Sequence, residues 1–173
     1  MSDARFQDGA EPPLRLVARD EADLRVLSSL VQDAVLTGTD MRFQRRERRF
    51  ALLLNRFRWE DRARAGTAGR DAERVRAVLD FGDVLRVRQQ GLEGRGPNTV
   101  LSLLAIAFSP QTRPEGEEDP AADGPAGPGQ VTLVFAGDGA IALDVECLEV
   151  HLSDVTRPYA APSRRVPAHR LDD

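Results

Sequence analysis

The stretch RRERRFALLLNRF, residues 45–57, sets a cluster of arginines directly against one of the most apolar runs in the chain. At period two, Phe50, Leu52 and Leu54 fall on one face and Ala51 and Leu53 on the other, the pattern of a central strand. Upstream, Met41 and Phe43 alternate with Arg42 and Gln44, so the two runs pair as a hairpin whose polar tip carries Arg45, Arg46 and Arg48. Solvated charge at such a tip also guards a sheet against edge-to-edge pairing. The competing reading gathers the same guanidinium groups around an anion. That reading needs convergence on one pocket, which spacing does not supply.

Outward from the hairpin, the period changes to that of a helix on the N-terminal side. Leu24, Leu27, Leu30, Val31 and Ala34 recur at helical spacing behind Asp20, Glu21 and Asp23, which crowd acid into a first turn where the helix dipole favours it. A helix over 20–35 follows, preceded by a short strand over 14–18. On the C-terminal side the apolar phase shifts after Asn55 to Phe57 and Trp59, as a bulge or bend requires, and Arg56 and Arg58 mark where the Leu54 face leaves the core. Residues 60–71 read as a loop. Strands over 74–80 and 84–87 form a hairpin across Gly82-Asp83, and 99–108, apolar on both faces, reads as another interior strand. A further hairpin spans Gly137-Asp138-Gly139. Val145, Leu148, Leu152 and Val155 share a helical face, which predicts a C-terminal helix over 144–154.

The expected fold is α+β: a strongly bent antiparallel sheet or partly open barrel of about seven strands, with a strand-helix start and a C-terminal helix. Its element order resembles that of pleckstrin-homology-like domains. One domain is expected over 14–155, after a disordered lead at 1–13 and before a disordered tail at 156–173. The run PEGEEDPAADGPAGPG lies at the heart of a mobile insertion over 109–129, too polar to bury apolar surface.

Composition narrows the chemistry. The chain has 173 residues and a net charge of −4, within the range of one core and without the overall basic footprint of a dedicated nucleic-acid binder. All 24 basic residues are arginine, a bias that reads as codon usage, since arginine choice at exposed positions is nearly neutral for stability. Cys147 is the only cysteine, so no intrachain disulfide or cysteine-built zinc site can form. The start lacks a signal-peptide pattern and no window approaches a membrane-spanning length, so a soluble cytoplasmic protein is expected.

No catalytic constellation emerges. His151 and His169 have no ligand spacing, Cys147 sits beside an apolar face, and GLEGRG (91–96) departs from the phosphate-loop order. Glu117 and Glu118 fall in the insertion, where nothing holds them in catalytic geometry. The expected sites are therefore no catalytic residue, no metal and no cofactor. Arg45, Arg46, Arg48, Arg49, Arg56, Arg58 and Trp59 remain as the candidate contacts to an anion or partner. Three functions follow in order: a non-catalytic protein-interaction or scaffold module, a binder of nucleic acid or an anionic ligand through the arginine hairpin, and an enzyme with no recognisable motif, which would require Cys147, His151 and a carboxylate to meet around a concave pocket.

ERRFALLLNRFRWE (47–60), VLSLLAIAF (100–108) and VTLVFAGDGAIALDVECLEVHLSD (131–154) resemble a bacterial family catalogued only as a domain of unknown function, over about 14–154. The resemblance implies a bacterial, cytoplasmic, compact protein. It supplies no catalytic residue or cofactor to carry over.

Overall fold

The structure, a computed structural model, describes residues 12–60, 73–112 and 124–160. It is built on one antiparallel sheet that bends around a single apolar cluster without closing. Helix α1 (Glu21–Val31) starts as the acidic turn predicts: the Asp20 carboxylate accepts from the backbone N–H of Asp23 at 2.8 Å. Leu24, Leu27 and Val31 are buried, and the helix packs on the sheet across β1 (Arg15–Ala18), β4 (Arg49–Phe57) and β7 (Val100–Pro110). It ends earlier than its periodicity suggests. Asp33 takes a left-handed backbone (φ 61°), its N–H donates to Leu103 O at 2.7 Å, and Ala34 opens strand β2 (Ala34–Thr37) against β7.

The opening hairpin forms as expected. β3 (Met41–Gln44) pairs with β4 in the register Phe43 to Phe50 and Gln44 to Arg49, leaving 45–48 as the turn, with Arg48 at φ 55°. β4 is a central strand, joined to β5 (Glu73–Phe81) along its length and to β2 and β3 on its other flank. The remaining strands are β6 (Val84–Gln90), β8 (Gly129–Phe135), β9 (Gly139–Val145) and β10 (Val150–Asp154), with a two-residue β11 (Tyr159–Ala160) on β5. The order is β1-β10-β5-β4-β2-β7-β8-β9-β6.

Three expectations are corrected, and the interior strand expected over 99–108 is found as β7, flanked by β2 and β8. About seven strands become ten, with β11 as a further short pairing. The helix over 144–154 is replaced by β9, a turn and β10. Its apparent helical spacing arises because the turn at 146–149 separates two strand phases and carries one buried side chain, Leu148, whose N–H donates to Ala126 O at 2.9 Å. With a strand there, residues 144–154 do not supply the helical cap of a pleckstrin-homology-like arrangement. Gly82-Asp83 does not close a hairpin: β5 lies between β4 and β10, whereas β6 pairs with β9, so the chain crosses from one half of the sheet to the other. Finally, β7 is apolar on both faces for a local reason. Its register slips between Leu103 and Ala105, so Leu101 and Leu103 are buried before the bulge and Ile106 and Phe108 after it, while Leu104 is exposed. Residues 1–11, 61–72, 113–123 and 161–173, which include most of the expected loop over 60–71 and parts of the expected lead, insertion and tail, lie outside the described residues.

Candidate functional site

The arginines of the opening stretch separate into three environments. Arg45 and Arg46 stand exposed in the turn. Arg48 pairs with Glu146, its carbonyl accepts from Val84 N–H at 2.8 Å, and Arg49 pairs with the mostly buried Asp80. Arg58 donates to Glu73 at 3.1 Å.

Arg56 does not mark an exit from the core; it continues the buried phase of Leu54 and is fully buried. All five of its N–H donors are used. Nε and Nη2 reach Asp154 at 2.9 and 2.8 Å, Nη1 and Nη2 reach Glu60 at 2.9 and 2.7 Å, and Nη1 also reaches Phe57 O at 3.2 Å. Burial disfavours the guanidinium charge, but the bonds to Glu60 and Asp154 override it and raise its pKa. Burial also pushes the Glu60 carboxyl upward, yet the hydrogen bonds from Arg56 hold it below its ordinary value. Asp154 in turn accepts Leu14 N–H at 3.2 Å, which ties the entry of β1 to the end of β10. Trp59 packs tilted against Phe57 with ring centroids 5.5 Å apart, and its Nε1 donates to Gln32 O at 3.0 Å. Arg48, Arg49, Arg56 and Arg58 thus each face a carboxylate.

An open depression of about 410 Å³ lies on the outer face of β3, β4, β5 and β10. Its lining includes Gln44, Arg49, Asp80, His151 and Ser153, over a floor of Ala51 and Val78. Register places these side chains on one face, with Asp80 opposite both Ala51 and His151. His151 Nε2 lies 2.9 Å from Glu149. Cys147 is outside this lining: its thiol donates to Asp83 at 2.9 Å, and that bond, with burial, raises its pKa to about 11. A thiol so held carries little nucleophilic thiolate near neutrality. Among the described residues, no three His, Cys, Asp or Glu side chains gather as a metal site.

The other half of the sheet presents an edge. Among the described residues β6 is the terminal strand, paired within the sheet with β9 alone. From Leu85 onward its side chains are exposed, apart from half-buried Val87, and Leu85, at a slip in register, is 56% exposed. The core-facing series Val87 and Gln89 lies opposite Leu143 and Ile141, while Arg86 and Arg88 share the outer face, opposite Asp144 and Ala142. Arg88 donates to Asp144 at 2.6 Å. Sequence reading took β6 as half of a hairpin and so missed that, among the described residues, no strand pairs with its second flank. The signal available was the run of Arg86, Arg88, Gln89 and Gln90, a polar dressing typical of edges.

Among the described residues, no helix is long and apolar enough to cross a membrane. No curated protein and no solved structure matches the chain. A family model described as "Protein of unknown function (DUF2948)" matches residues 14–169, and the chain belongs to that family.

Proposed function

We propose that the chain is a non-catalytic protein-interaction module, a single cytoplasmic domain over 14–155, that takes an extended segment of a protein partner along β6. The observation carrying this reading is the seven-residue terminal strand whose second flank, beyond the Val84 N–H that Arg48 O accepts, pairs with no strand among the described residues, with Leu85 exposed upon it. An unpaired strand offers a row of backbone donors and acceptors, and strand addition satisfies them while side-chain pockets set specificity. The opposite edge, β1, has four residues and offers a shorter template.

Carboxylate pairing of Arg48, Arg49, Arg56 and Arg58 supports this reading over an anion receptor, because a ligand would have to displace partners already in place. Arg45 and Arg46 are the turn residues to neutralise when testing the anion alternative, in which binding would weaken steeply with added salt. The Cys147 to Asp83 bond likewise supports a non-catalytic role.

The test places a photo-crosslinking residue at Gln89, on the edge, or at Ser29, on α1, in cells that produce the protein. A discrete protein adduct at 89 and none at 29 is expected. The same pattern from both positions, or no adduct at 89, overturns the proposal.

A further inference from the structure

We infer that the segment taken by β6 is an acidic one, with carboxylates at alternate positions flanking an apolar residue; this rests on the edge reading above. The juxtaposition is specific. Arg86 and Arg88 project to the outer face with Val87 between them on the core side, where it packs against the apolar cluster. A strand laid antiparallel along β6 places its own side chains opposite these three, on the same faces. Carboxylates two residues apart then meet the two guanidinium groups, Arg88 through the donors it does not give to Asp144, and the apolar residue between them meets Val87 and extends the core by one strand.

Charge disfavours the simplest alternative occupant, a second copy of the same edge, in the registers that overlap the arginine pair most fully. Two-fold antiparallel pairing of β6 with itself must bring residues of one face together. A register centred on Arg86 sets Arg86 against Arg86, one centred on Val87 sets Arg86 against Arg88, and one centred on Arg88 sets Arg88 against Arg88. Like charges directly opposite destabilise a strand pair. Asp144 offsets Arg88 but already accepts from it and from Gln130 Nε2 at 3.1 Å, so it does not serve as a spare carboxylate for a second guanidinium. Basic or neutral extended segments lose the same two contacts.

The test uses the full chain with two synthetic peptides, Thr-Glu-Val-Glu-Val-Glu-Thr and its counterpart with lysine for every glutamate, both capped. Affinity is read by fluorescence anisotropy, and backbone hydrogen exchange over 84–90 reports where the peptide lies. The acidic peptide is expected to bind at least about tenfold more tightly than the lysine peptide, with slowed exchange in β6, and this preference should shrink with salt. The variant Arg86→Gln/Arg88→Gln removes both guanidinium charges and leaves the Asp144 charge without its arginine partner, so it should reduce the preference to within about twofold or reverse it. Equal protection of β6 by both peptides overturns the acidic preference while leaving strand addition intact. Absence of peptide binding alongside a persistent crosslink at Gln89 also overturns the inferred chemistry, but not the edge; loss of both removes the edge reading itself.

Discussion

Arg56 sits where the β4 ribbon meets β10, and its guanidinium holds two carboxylates, one four residues along the chain and one 98 residues away. Replacing it with methionine fills the space but strands Asp154 and Glu60 in a buried site. A loss of about 3–5 kcal/mol in urea unfolding is expected, the cost of breaking one member out of a buried ion network. Lysine at 56 should recover only part of it, since one ammonium cannot match a planar fork bonded to two carboxylates. Glu60 gives the network a pH signature. Its carboxyl titrates lower when folded than when unfolded, so its stabilisation is present above the ordinary carboxylate range and disappears as pH falls through the folded value. Glu60→Gln should therefore flatten the acid side of the stability profile, and an unchanged slope would show that the carboxyl contributes nothing there. Cys147 offers an independent check: Asp83→Asn should speed its alkylation by iodoacetamide at pH 8, because the accepting carboxylate that keeps the thiol protonated is gone.

At the level of elements, the turn and its strand behave differently. Arg45→Ser/Arg46→Ser should leave the urea midpoint where it is, since both side chains are exposed. Gly129→Ala should not: a Cβ there would stand 2.5 Å from Ser109 O and 2.6 Å from the Phe108 ring, and calorimetry should show a loss of about 1–3 kcal/mol from overpacking. The same contrast explains what could be read in advance. The β3–β4 hairpin was legible because alternation, turn length and charge agree within a few residues. The buried state of Arg56 was not, because a guanidinium at the end of an apolar phase looks like an exit until Asp154, 98 positions away, is brought beside it. The missed β10 has a similar origin. Turn 146–149 joins two strands so that their apolar residues fall at helical spacing, and only pairing with β5 and β1 distinguishes the two periods.

Across the whole molecule, sequence-distant pairing dominates: β1 joins β10, β10 joins β5, and β6 joins β9. Such topology predicts refolding in milliseconds to seconds, measurable by stopped-flow fluorescence of Trp59, and microsecond refolding would contradict it. The crossover at Gly82-Asp83 was also illegible locally, because strand spacing says nothing about which flank a strand will find. β10 has the widest consequence, since it lies between β1 and β5 and carries Asp154 to Arg56. A ribosome translating this message must add residue 150 before either waiting strand can receive its neighbour. Until then the nascent chain carries two naked flanks, so an early stop codon would release a sticky fragment for proteolytic clearance, and natural shortening from this end should be tolerated only beyond residue 154.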